Sequence, residues 1–266
     1  MNNIIEYKIN SISDLLNLLE SKIQINDYTL FRGHNNFTWD LLPKIARKDF
    51  KFRSNSDSEL KMIETFKRYA KQYLKKEIKN EWDYFAMAQH YGMATRLLDW
   101  TTNPLAALWF CVDKPCEVEY GALWILQLKI DDYLKASEIE NDKIQKPWIE
   151  IRNPFKSFDY YSPLTISSSI IVFQPHLLDQ RIINQNGWFT VHQNTKNNKY
   201  FDLTADAKFS SRLIKILVPK AVFSEIRFTL DTLGINQMTL FPDLQGVSKY
   251  SEWLHTVLDD EPADTE

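Results

Sequence analysis

The sequence predicts a single α+β domain with an N-terminal helical elaboration, and three observations carry that reading. Apolar residues recur at helical spacing in some segments, as at Leu60, Ile63, Phe66, Ala70, Tyr73 and Leu74, while others, such as Tyr120 to Leu128, have strand composition. The two kinds of run are interspersed without an internal repeat or a Gly/Ser linker. With 266 residues, 44% apolar and 25% charged, the chain can bury a core of its own, which excludes a wholly disordered chain and a coiled-coil rod. Residues 1–258 are expected to form the domain, with a motif-rich part over 22–128 and a disordered acidic tail over 259–266.

The elements follow in order. Ser11 and Asp14 before Leu15, Leu16, Leu18 and Leu19 read as a capped helix. Tyr28 to Arg32 has strand composition, and period-2 alternation places Tyr28, Leu30 and Arg32 on one face. A helix is expected from Ser58 to about Lys79, and another, capped by Asn80, from Trp82 to His90-Tyr91 with Gly92 beyond its end. Arg96 to Trp100 reads as a short buried strand; Thr101, Thr102 or Asn103 caps the next helix, with Pro104 in its first turn. Tyr120 to Leu128 is a strand, 131–160 reads as loop-rich, and Ile170 to Phe173 precedes Pro175 and a short helix from His176 to Asp179. Asn186-Gly187 turns the chain into a strand from Trp188 to His192. Lys215 to Pro219 is a strand, Ser224 to Leu233 a helix closed by Gly234, and a final helix carries Tyr250, Trp253 and Leu254.

Composition excludes several classes. A net charge of −3 argues against a surface coated in basic residues for unspecific nucleic-acid binding. Two cysteines are too few for a disulfide framework, and Cys111 and Cys116 have no partner pair at zinc spacing, so no metal is expected. No signal peptide and no membrane-length apolar run is evident, which points to the cytoplasm. No Gly-rich phosphate loop and no nucleophile elbow is present. The 16 Phe, 12 Tyr and 8 Trp fit either a dense core or a cleft for flat rings.

The segments FRGH at 31–34, HYGMATRLLDWTTNPLAALWF at 90–110 and LFPDLQG at 240–246 resemble the FRG-domain family, named for its Phe/Tyr-Arg-Gly motif. The order of parts also resembles ADP-ribosyltransferases of the arginine-serine-glutamate branch: Arg-Gly closing an early strand, then a strand running into Thr-Thr, then a strand such as GALWILQL. That resemblance implies a split, mixed β-sheet core and NAD as substrate. Arg32 and Gly33 match the first motif and Asp99-Trp100-Thr101-Thr102 occupies the second.

Each part has a physical warrant. A guanidinium forks onto phosphate oxygens, so Arg32 is the expected diphosphate anchor, and Gly33 lets a ligand approach the backbone. Hydroxyls at Thr101 and Thr102 can bond a ribose or carboxamide, and Trp100, Tyr91 or Trp188 can stack a base. The plainer reading of Arg32 is a structural ion pair with Asp99 or another carboxylate. Arg96 is placed with the cofactor-binding residues; of Arg96 and Asp99, on opposite strand faces, Asp99 is read as the structural member. His90 and Tyr91, at a helix end, are the candidate catalytic pair. No Gln-x-Glu or Glu-x-Glu triplet opens the later strand; Gln185 stands there instead, so it orients the reacting groups, or an acid elsewhere serves (Asp243, Glu150 or Asp179), or catalysis has been lost. Asp243 also reads simply as a helix cap or turn residue.

The resulting expectation is an NAD-consuming ADP-ribosyltransferase-like toxin or anti-phage effector that modifies RNA or protein, with an antitoxin protein as a partner by analogy. The alternatives are a non-catalytic nucleotide sensor or interaction module and, below it, an RNA-binding protein or nuclease using the basic cluster at 44–53 and the lysines at 67–79.

Overall fold

The structure is a computed structural model that describes residues 4–23, 25, 29–53, 58–74, 78, 81–128, 164, 170–176, 179–193 and 200–262. Its strands are Ile5–Lys8 (β1), Thr29–His34 (β2), Leu97–Thr101 (β3), Tyr120–Gln127 (β4), Ile170–Phe173 (β5), Gly187–His192 (β6) and Leu213–Pro219 (β7). They form one mixed sheet in the order β1-β7-β4-β2-β3-β6-β5, with β1 parallel to β7 and the other neighbours antiparallel. The helices are Ile12–Ser21 (α1), Ser58–Ala70 (α2), Glu81–His90 (α3), Pro104–Val112 (α4), Gln180–Asn184 (α5), Ala207–Ser210 (α6), Phe223–Thr232 (α7), Gln237–Leu240 (α8) and Leu244–Trp253 (α9). Among the described residues no helix is long and apolar enough to cross a membrane.

Helix signals in the chain act where they are expected. The Ser11 hydroxyl accepts from the Asp14 amide at 3.1 Å, and the Asn103 carboxamide accepts from Leu105 and Ala106 to start α4, with Pro104 in its first turn. Gly92 takes φ of +86° just past α3, and Asn186, at +46°, turns the chain into β6. Several expectations are corrected. α2 stops at Ala70, before the lysines at 75–79, while the Asn80 cap and the stretch 131–160 lie outside the described residues. The helix expected at 176–179 instead runs over Gln180–Asn184, because the Asp179 carboxylate accepts from the Arg181 amide and so caps rather than ends it. The tail is not free from Asp259 onward: Asp260 and Glu261 both pair with the buried Arg227.

Burial divides the sheet as alternation requires. On one face, Phe31, Leu123, Ile125 and Ile216 pack under α1, α4 and α7 through Leu15, Leu19, Leu108, Phe223 and Leu230. Leu97, Phe173, Phe189 and Val191 carry α2 and α3 through Ile63, Trp82 and Phe85. The other face buries Leu30, Leu98, Trp100, Trp124, Trp188 and Phe209. Among the described residues, six Phe and five Trp are buried in these clusters, while no Tyr is.

The sheet is nearly divided in the middle. β2 and β4 share six consecutive residue pairs and β3 and β6 share five, whereas β2 and β3 pair only at Phe31 and Thr101. Past that pair, Arg32, Gly33 and His34 diverge from Trp100, Asp99 and Leu98.

Candidate functional site

A cleft of about 320 Å³ opens where β2 and β3 part. Arg32 stands at the split and holds it: Nη1 donates to the Asp99 carbonyl at 2.7 Å and lies 3.6 Å from the Asp99 carboxylate. A side chain thus replaces the ladder bond that the diverging strands cannot make. Arg32 Nε donates to His34 Nε2 at 2.8 Å, and neither bond uses Nη2. Burial pulls the Arg32 pKa down to about 10, against the opposing pull of Asp99, so the guanidinium stays charged at neutral pH.

That bond fixes the His34 tautomer, since an Nε2 that accepts leaves the proton on Nδ1. Nδ1 is buried and makes no hydrogen bond of normal geometry. Burial first, then Arg32, Arg47 and Lys215, push the His34 pKa well below the usual value, so the ring is neutral. His90 also lines the cleft, and burial lowers its pKa against the opposing charge of Asp179, whose Oδ1 lies 3.4 Å from Nε2 without a hydrogen bond.

The opposite wall is α4. Its backbone lies so close to β2 that a Cβ on Gly33 would sit 2.0 Å from the Ala107 carbonyl oxygen and 2.6 Å from the Cys111 amide. Gly33 is thus committed to helix-on-strand contact, which corrects its expected role in admitting a ligand. The Asn35 carboxamide donates to the Cys111 and Lys114 carbonyls, satisfying the end of α4 and tying it to the end of β2. Asp113 follows α4 on the cleft wall, and burial raises its pKa to about 6 against the pull of Lys114 and Arg227.

Six of the expected catalytic and cofactor-binding residues meet at this cleft: Arg32, Gly33, His90, Trp100, Thr101 and Gln185. Their free chemistry is smaller than expected. The Thr101 hydroxyl donates to the Gln185 carbonyl at 2.5 Å and accepts from the Asn103 amide, and the Gln185 amide donates to the Leu240 carbonyl at 3.0 Å. Trp100 is 3% exposed and its indole N–H donates to Thr190, so it forms floor rather than a stacking face.

Three others lie elsewhere. Arg96 is buried away from the cleft, where Nε and Nη2 fork onto both Glu59 oxygens at 2.9 and 2.6 Å. The expected division between Arg96 and Asp99 is reversed: Arg96 is the structural member, and Asp99, with its side chain 52% exposed, faces the cleft. Tyr91 bonds Asp179 through its hydroxyl and lines a separate groove against α2. Thr102 is not part of the cleft wall; its amide donates to the Asn186 carbonyl. Asp243 caps α9 and pairs with Arg181, matching its simpler reading, and Glu150 lies outside the described residues.

Sequence reasoning missed His34, Trp39, Arg47, Gln89, Phe110, Asp113 and Phe241 on the cleft wall. His34 had a signal, because it stands two residues after Arg32 on the same strand and so shares its face. Among the described residues no group of three or more His, Cys, Asp or Glu is placed to hold a metal ion.

No curated protein and no solved structure matches the chain. Residues 27–119 match the family model of the FRG domain. That stretch holds β2, β3 and α2 to α4, and with them Arg32, His34, His90 and Asp99. Over this segment, about a third of its length, the chain is similar to the FRG domain.

Proposed function

We propose that the cleft binds NAD and that the protein transfers its ADP-ribose to a macromolecular acceptor. The observation that supports this best is the parting of β2 and β3 around Arg32, which sets a permanent cation at the base of a ligand-sized cleft. Arg47 and Lys114 add positive charge on the wall, and Trp39, Phe110 and Phe241 add rings. A guanidinium suits a diphosphate, and rings suit nicotinamide or adenine.

Cleavage of the glycosidic bond sends its electron pair to nicotinamide and leaves positive charge on the ribose. A fixed carboxylate stabilises that charge better than an amide. Gln185 is neutral and held by Leu240, so the role falls to Asp99, the half-exposed carboxylate beside Arg32. The acceptor's nucleophile then bonds the ribose carbon, and its proton passes to neutral His90. An effector of this kind acts as a toxin or in anti-phage defence, with an antitoxin protein as its partner and RNA or protein as acceptor.

A nicotinamide-release assay with labelled NAD and cell extract tests the reading. Arg32→Ala weakens NAD binding at least tenfold. Asp99→Asn keeps binding and slows release by roughly 10²–10³-fold, the cost of removing one transition-state partner. Gln185→Ala changes release little. No release from the unaltered protein with any acceptor rejects the transferase. One observation favours a second reading, a nucleotide sensor: the polar groups of Thr101 and Gln185 are already bonded within the protein. Tight NAD binding without turnover establishes that alternative.

A further inference from the structure

Beside the cleft lies a larger groove, about 740 Å³, between α2 and the turn after α3. Its wall includes Tyr69, Tyr73 and Tyr91, exposed by 58%, 79% and 60%. Large rings left this open on one surface mark an interaction site rather than core. Among the described residues, Lys61 is the one charged residue of the wall, and no Asp or Glu lines it. Two further cations stand at its rim. The Arg68 guanidinium lies 4.8 Å from the Tyr69 ring centre, and Lys44 Nζ donates to the carbonyl of Gly92, itself a wall residue.

We propose that this groove binds single-stranded nucleic acid and presents it to the cleft as the acceptor. Open rings with cations beside them match unstacked bases on a phosphate backbone, and the carboxylate next to Tyr91, Asp179, is already engaged, accepting from the Tyr91 hydroxyl and the Arg181 amide. A protein segment offers rings or acids, whereas a nucleic-acid strand offers both at every residue. The groove and the cleft are separate but adjacent: Tyr91 lines one and His90 the other, with ring centres 5.3 Å apart at 84°. A strand lying over Tyr91 therefore ends beside the imidazole assigned to receive the acceptor's proton.

The acceptor role rests on the transferase reading, but binding is measured without NAD. Fluorescence anisotropy of the full chain with labelled ribo- and deoxyribo-oligomers of about 12 nucleotides spans one stacking groove. Binding is expected for single strands and not for duplexes, and the two oligomer arms show whether RNA or DNA is preferred. Tyr69→Leu and Tyr73→Leu, both at exposed positions, each weaken it roughly tenfold while NAD binding is unchanged. Arg68→Gln lowers the slope of log affinity against log salt by about 0.7, the value for one lost phosphate contact on a single strand.

Binding with this pattern but without ADP-ribose transfer supports the groove and counts against the transferase alone. Three results overturn the groove: no single strand binds at low salt, the tyrosine variants bind as well as the original, or NAD is consumed onto protein while no oligomer binds.

Discussion

Replacing Gly33 by alanine separates a packing role from a ligand-approach role at the second position of the Arg-Gly motif. The added methyl would lie 2.0 Å from the Ala107 carbonyl oxygen and 2.6 Å from the Cys111 amide, both backbone atoms of α4. No rotamer change relieves that contact, so α4 must lift from β2 and loosen the Ala106, Ala107 and Leu108 layer beneath it. Overpacking costs roughly 1–3 kcal/mol, and an obstacle made of helix backbone places this case near 3. At roughly 2–4 °C per kcal/mol for a chain of this size, the Tm falls by about 6–12 °C, measured by thermal circular dichroism on the full chain. Gly187→Ala is the control, because its methyl would meet nothing nearer than 3.4 Å and its Tm should stay within about 2 °C. A Gly33→Ala protein with unchanged Tm and lost NAD binding refutes the packing argument and returns Gly33 to the ligand.

Arg96→Ala leaves Glu59 buried without its fork and costs roughly 3–5 kcal/mol in denaturant titration, while NAD affinity is retained. His192 accepts from Thr190 and donates to the Phe201 carbonyl, and burial lowers its pKa from 6.5 to about 4. The unfolded chain therefore takes up the proton first. Its stability contribution is complete above pH 6.5 and shrinks as pH falls toward 4, by about 3 kcal/mol, and His192→Asn flattens that limb in urea midpoints. Asp113 has the opposite sign: its folded pKa of about 6 exceeds the ordinary 3.8, so the folded state protonates first and loses stability as pH rises through that window. Asp113→Asn raises the urea midpoint at pH 7 and leaves it unchanged near pH 4.

Local signals were legible in the sequence because their causes are local. The Ser11 and Asn103 caps, the glycine after α3 and the strand from Tyr120 depend on neighbours within a few residues. β1 was not read, because Ile5–Lys8 is short, largely exposed and becomes a strand only by pairing with β7 some 200 residues away. The site divides in the same way. Alternation placed Arg96 and Asp99 apart, but which of them meets solvent depends on Glu59 reaching Arg96 from α2, a contact 37 residues away. His90 and Tyr91 are adjacent, yet they serve different cavities, since the chain leaves the helix between them. Gln185 looked free because its partner, the Leu240 carbonyl, belongs to a helix 55 residues later.

The near-division of the sheet also separates what is recognisable from what can fold. Residues 27–119 carry the family match and most of the cleft, yet among the described residues their only strands are β2 and β3, which touch at one residue pair. Each of these strands takes its long ladder from outside that stretch: β2 from β4, and β3 from β6. A fragment trimmed to the family boundaries therefore exposes two bare edges and the apolar faces of Leu30, Phe31, Leu97 and Leu98, and it should aggregate. The signature is a site-bearing insert between two ladders, and residues beyond 119 are the frame that makes it a protein.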